Sequence, residues 1–307
     1  MGRDSALRAG FNVAMDVPVA ATVTQPAPVV VLHPAQQTIP VIFASPHSGR
    51  SYPDDLLAAA RLDALSLRRS EDSFVDELFA AAPDHGAPLL AATFPRAYCD
   101  ANREPWELDP AMFADKLPPW VNTTSARVGA GLGTIARVVA SGEAIYRGKL
   151  SFADAERRVN TCWQPFHDAL GELIAQTRAE FGYCLLIDCH SMPSHGHVTR
   201  AGAKAADFVL GDAHGTASAP RMSRLVEGQL SGLGYTVRRN DPYAGGYITR
   251  HYGRPREGVH ALQIEIARDL YMDEGRIERL LCFPTIQKAI TRFIVGLAQG
   301  MAELGAD

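Results

Sequence analysis

Two stretches of this chain, Ile39-Pro-Val-Ile-Phe-Ala44 and Tyr183-Cys-Leu-Leu-Ile187, are apolar without a break. A strand with one wet face alternates polar and apolar residues, so an unbroken run belongs to a strand buried on both faces. Such strands occur in sheets sandwiched between helices. Segments at 28–32, 89–94, 207–210, 235–238 and 260–267 read as further strands. Helical spacing falls between and after them, over 72–82, 151–181, 219–230 and 275–300. Strands alternating with helices predict an α/β fold: a mixed, mostly parallel sheet flanked by helices in three layers.

A chain of 307 residues can bury a large core. One domain is expected over 27–307, after a loosely held extension at 1–26 that carries Arg3, Asp4, Arg8 and Asp16 among small apolar residues. The formal charge of −4 gives no electrostatic footprint for nucleic acid or an anionic membrane. Nor is there a run of 18 uncharged apolar residues of the kind that spans a bilayer. An acidic small-molecule substrate must therefore be held by local arginines. Five cysteines without a CxxC pair argue against a zinc ribbon and a dithiol site, and a reduced, cytoplasmic compartment fits them best. Oligomeric state leaves no mark in the sequence.

Open α/β sheets bind ligands beyond the carboxyl ends of their strands. His47, in Ser45-Pro-His-Ser-Gly49, follows one buried run, and His190, in Asp188-Cys-His-Ser191, follows the other. The two imidazoles can converge there, although a locally bonded loop histidine is the alternative for His47. Asp188 suits an outer-shell role on an imidazole, or caps the next turn. A catalytic zinc needs three protein ligands and an open position. Asp72, in Ser70-Glu-Asp-Ser73, is the preferred third ligand with Glu71 as its substitute; acids at a helix start also serve as caps. Glu265 lies inside the apolar strand Leu262-Gln-Ile-Glu-Ile266, where a carboxylate is costly unless exposed in a cleft, paired or metal-linked. It reads as a general base, against an ion pair with Arg268 or Arg250.

Arg103, after Asn102 in the irregular, Pro- and Trp-rich stretch 100–128, is suited to grip a carboxylate through two parallel hydrogen bonds. Arg137 follows the glycine run at 129–133, read as a flexible lid or helix entry, and is expected to face the site. Thr249, in Gly245-Gly-Tyr-Ile-Thr-Arg-His251, is expected to hydrogen-bond substrate, with a plain surface hairpin as the alternative for that segment. His195, His197 and His214 read as loop residues, and His167 as a partly exposed helix residue.

Taken together, Ser45–Gly49, Ser70-Glu-Asp72, Asp100-Ala-Asn-Arg103, Asp188–Ser191 and the segment from Gln263 to Glu274 resemble the N-formylglutamate amidohydrolase family, over about 27–300. That family is similar in fold to zinc carboxypeptidases and aspartoacylase-like deacylases. The resemblance implies one Zn2+ per chain on His47, Asp72 and His190, Glu265 as base, and Asn102 and Arg103 as a carboxylate-binding pair. It implies hydrolysis of N-formyl-L-glutamate to formate and L-glutamate, in histidine degradation. Carboxypeptidases place the acidic ligand three residues after the first histidine, a position held here by Arg50. Two other readings stand beside it: a carboxypeptidase-like amidase acting on a peptide or peptidoglycan fragment, and a non-catalytic binding protein on the same fold.

Overall fold

The computed structural model describes residues 27–194 and 206–304. The extension at 1–26, together with His195 and His197, lies outside the described residues. Seven strands form one sheet: β1 (Val29–Leu32), β2 (Val41–Ser45), β3 (Leu89–Ala92), β4 (Cys184–Met192), β5 (Phe208–Gly211), β6 (Val237–Arg239) and β7 (Val259–Ala267). Their order is β1-β3-β2-β4-β7-β5-β6. The pairs β3/β2, β2/β4, β4/β7 and β5/β6 are parallel, whereas β1 runs antiparallel to β3 and β5 antiparallel to β7. The sheet is thus mixed and mostly parallel, as the unbroken apolar runs require. Every residue of β2, β4 and β7 is buried.

Two apolar layers cover the sheet. One packs helices Pro220–Gly232 and Phe283–Leu304 against Phe43, Leu185, Ile187, Leu262 and Ile264. The other packs helix Gln164–Phe181 against Ile42, Ala44, Leu186 and Ala261. Successive residues of β2 alternate between the layers, the period-2 geometry of a strand read from both sides. No described helix is long and apolar enough to cross a membrane.

Four local expectations are corrected. The helix expected at 72–82 shrinks to Val75–Leu78, because Phe74 adopts a left-handed backbone (φ 67°) that ends any helix before it. Its ring lies edge-on to Phe283, with the Arg279 guanidinium above it, so distant packing imposes the turn. The closing helix begins at Phe283 rather than 275. Residues 272–279 instead form a small hairpin of β8 (Met272–Asp273) and β9 (Glu278–Arg279), and Pro284 sits in the first turn of the helix, where its missing N–H costs nothing. The glycine-rich segment at 245–251 leads into a helix, Tyr247–Tyr252, rather than a hairpin.

The fourth concerns the long helix. Ser151 does cap its start, with Asp154 completing the capping box. A π-helical turn, Val159–Trp163, then interrupts it just before Pro165, which cannot donate to the carbonyl one turn back. Beyond the turn His167 is buried, not partly exposed. It stacks on Trp163 with ring centroids 3.8 Å apart. Its Nε2–H donates to the Ala101 carbonyl at 2.8 Å, and Nδ1 accepts from the Tyr252 hydroxyl at 2.9 Å. The Trp163 indole donates to the Arg103 carbonyl at 3.0 Å. These two rings therefore fix the backbone on either side of Asn102.

Burial pushes the His167 imidazole from 6.5 down to about 4. Between those values the unfolded chain binds a proton that the folded chain refuses, so stability is lost as pH falls through this window. The shift corresponds to roughly 3 kcal/mol. Wild type should lose about that much more stability than His167→Gln between pH 7 and pH 4, measured by urea unfolding. Parallel losses in the two proteins would show that His167 does not titrate this way.

Candidate metal centre and active site

Because β2, β4 and β7 are parallel neighbours, their carboxyl ends open on one edge of the sheet. His47 lies two residues beyond the end of β2, and His190 is near the end of β4. The β4/β7 register sets His190 opposite Glu265 and Asp188 opposite Gln263, so all four side chains share a face. Asp72 reaches the same edge on the turn that precedes Val75. Its backbone N–H donates to the His47 carbonyl at 3.0 Å, which ties the acidic turn to the first histidine.

The three side chains meet. One carboxylate oxygen of Asp72, Oδ2, lies 3.3 Å from His47 Nδ1 and 2.9 Å from His190 Nδ1. The imidazole rings stand edge to face, with centroids 4.7 Å apart. One ligand atom from each residue falls within 4.8 Å of the other two. The outer ring nitrogens are held by carboxylates: His47 Nε2 by Asp100 at 2.7 Å and His190 Nε2 by Asp188 at 2.8 Å. In the tautomer that gives each Nε2–H to its carboxylate, both Nδ1 lone pairs point inward at an acceptor oxygen. That arrangement is repulsive unless a proton or a cation lies between them. His47 Nδ1 is moreover buried without a hydrogen-bond partner. Two imidazoles and a carboxylate, each imidazole oriented by a further carboxylate, fit a divalent cation of the zinc type.

Charge balance around the cluster supports the same reading. Burial alone would raise the Asp72 carboxyl, but positive charge on the two imidazoles, carried as protons when no cation lies between them, holds it well below its usual range. Asp100 is also held low against burial, chiefly by the Arg103 and Arg96 guanidiniums. Arg268 donates to Asp72 Oδ1 at 3.0 Å and to the Glu71 carbonyl at 2.7 Å. It therefore serves the acidic turn and makes no ion pair with Glu265. Glu71 turns away, its carboxylate taken by Arg68, Tyr52 and Ser73.

Glu265 is buried and pushed up to about 7, first by desolvation. Its hydrogen-bond donor among the described residues is the Gln263 side chain, at 2.6 Å. A carboxyl that titrates near neutrality is matched to taking a proton from water and returning it to an amine.

The residues expected to grip substrate are placed as follows. Asn102 is buried. Its Oδ1 accepts from the Ile248 backbone N–H at 2.7 Å, and Nδ2 donates to Asp188 Oδ2 at 3.3 Å. Arg103 donates through Nε to the Leu132 carbonyl and through Nη1 to the Asn102 carbonyl, which leaves Nη2 3.7 Å from Asp100. Thr249 is buried and donates to Asp188 Oδ2 at 3.4 Å. Arg137 lies outside the cluster, half-exposed and paired with Asp109 at 2.8 Å. The glycine run before it follows a helical turn, Ala126–Gly129, capped by Ser125. Sequence reasoning passed over Arg96, which donates to Asp100 Oδ2 at 2.7 Å and stays 22% exposed beside the cluster. The four-residue spacing from Arg96 to Asp100 was its one visible signal. A cleft of about 400 Å³ lies behind the acidic turn, bounded by Arg68, Glu71, Arg268 and Glu274, and none of the three ligand candidates lines it.

A three-layer α/β protein with a buried cluster at its strand ends that could hold a metal ion is the class that the fold and site define. The chain belongs to the N-formylglutamate amidohydrolase family, whose model matches residues 39–272. It is 31% identical to N-formylglutamate deformylases of Pseudomonas putida and Pseudomonas aeruginosa, over 78% and 77% of this chain and 84% and 83% of theirs. A crystal structure of an N-formylglutamate amidohydrolase from Ralstonia eutropha JMP134 superposes with a TM-score of 0.85 at 38% identity, covering 90% of this chain and 99% of the other. The gene product Atu2144 from Agrobacterium tumefaciens shares the fold, with a TM-score of 0.58 at 20% identity over 90% of this chain and 96% of that one. The chain is thus a member of an amidohydrolase family.

Proposed function

We propose that this protein hydrolyses the amide bond of N-formyl-L-glutamate, releasing formate and L-glutamate, with a divalent cation, zinc by preference, held by His47, Asp72 and His190. The observation that carries the reading is the pair of inward-facing Nδ1 atoms on one Asp72 oxygen, beside a buried carboxyl with its pKa near 7. Family membership and the deformylases at 31% identity support the substrate.

When bound, the cation supplies Lewis-acid polarisation of the formyl carbonyl and acidifies water for attack. Glu265 accepts the proton of the attacking water. As the C–N bond breaks, the same carboxyl returns that proton to the leaving nitrogen, and the products separate as formate and the free amino acid. Asp100 and Asp188 hold the imidazoles in the tautomer that aims Nδ1 inward. Arg96 and Arg103 supply positive charge for an acidic substrate in a chain whose overall charge is negative.

The test offers N-formyl and N-acetyl amino acids and a short peptide to zinc-loaded protein, with release of formate, acetate or free amino acid measured. Formylglutamate should be hydrolysed best. Faster hydrolysis of a peptide than of any N-formyl amino acid would favour the carboxypeptidase-like alternative instead.

A further inference from the structure

The proposed base is held by an amide whose orientation is settled by donor and acceptor chemistry. Gln263 precedes Glu265 by two residues on β7, so both project from the same face of the strand. The backbone N–H of Gly246 points at the end of the Gln263 side chain, 2.7 Å away. An N–H can only donate, so the Gln263 atom facing it is the carbonyl Oε1. Its Nε2 is then fixed toward Glu265 and meets Oε1 of that carboxyl at 2.6 Å.

Gly246 is itself clamped. A side-chain carbon there would stand 2.4 Å from the Asn102 amide, so only glycine lets the two segments approach. Two residues on, the Ile248 N–H donates to Asn102 Oδ1, and the Thr249 hydroxyl donates to Asp188 Oδ2. The stretch 246–249 therefore touches both sides of the site. Through Asn102 and Asp188 it supports His190, and through Gln263 it supports Glu265.

We infer that Gln263 is a positioning residue for the base: its amide occupies Glu265 Oε1, leaving Oε2 to take the proton from water and pass it to the leaving nitrogen. The inference rests on the hydrolase reading for Glu265 but assigns a role that the ligand set does not. Without the amide, the carboxyl is free to rotate between productive and unproductive orientations. Misplacement of about 1 Å can cost on the order of a hundredfold in rate.

The test is a double-mutant cycle of Gln263→Met and Glu265→Gln on zinc-loaded protein. Gln263→Met should lower kcat roughly 10- to 100-fold with KM and metal content unchanged, the signature of an interaction used in the transition state alone. In the Glu265→Gln background the same change should have no further effect, because a residue acting through the carboxylate loses its lever once that group is gone. Additive losses, or a loss confined to KM, overturn the inference. If Gln263→Met does not fold, Gln263→Asn, too short to bridge Gly246 and Glu265, is read in the same way.

Crystal structures of wild type and the folded variant supply an arm that needs no turnover. The Glu265 carboxyl should leave its wild-type position in the variant, and an unmoved carboxyl overturns the inference. Absence of wild-type formate release would sink the deformylase reading alone, and the structural arm would still decide the role of Gln263.

Discussion

Glu265→Gln should lower kcat by roughly 10²- to 10⁴-fold, the range found when a general acid–base is removed. Glutamine keeps the shape of the side chain and can still accept from the Gln263 amide, but it cannot take a proton from water. Several observations make the effect specific. Glu265 is buried on a strand between apolar neighbours, and Arg268 is turned to Asp72 rather than to it. Burial therefore raises its pKa to about 7, and the charges of His190 and Arg268 offset it only in part. The carboxyl also shares its strand face and register level with His190, beside the proposed cation. Because Glu265 is outside the ligand set, metal content should stay the same while turnover falls. Formate release under saturating substrate, with zinc measured on the same sample, reads both quantities. Undiminished turnover would remove Glu265 from the mechanism.

The sequence was most legible where local pattern and tertiary environment agree. The apolar runs at 39–44 and 183–187 became the buried parallel strands β2 and β4, because an unbroken run has no wet face to offer. Glu265 stood out because a carboxylate amid apolar neighbours needs a reason to be there. Convergence of His47 and His190 followed from their places near the ends of two parallel strands.

What stayed hidden depends on contacts between residues far apart in sequence. Ser70-Glu-Asp-Ser73 looks like an ordinary helix start. It becomes a tight turn since Phe74 is packed against Phe283, more than two hundred residues away, and Arg268 reaches back to Asp72. Arg103 looks like a free cation in a loop, but two backbone carbonyls claim its donors. Arg137, expected at the site, instead finds Asp109 within its own irregular region. His167 follows Trp163 by four residues and precedes Leu170 by three, a spacing that sets it on the buried stripe of the helix, but its partners in the 101–103 backbone lie far away in sequence. Gln263 was visible on the face of Glu265, yet its partner Gly246 could not be guessed from spacing.

The second large effect concerns Asp72, which both proposed histidine ligands face through one oxygen. Asp72→Asn preserves volume and an oxygen for Arg268 while removing the charge that balances a cation and two imidazoles. It should lose bound metal and, with it, activity. Breaking a buried charge pair also costs about 3–5 kcal/mol, so circular dichroism must show that the variant is folded before its metal is counted. Elemental analysis of the two purified proteins, each dialysed against zinc and then against metal-free buffer, tests the proposed centre most directly. The prediction is close to one zinc per chain in wild type and almost none in folded Asp72→Asn. Equal zinc in both proteins, or none in wild type, would contradict it.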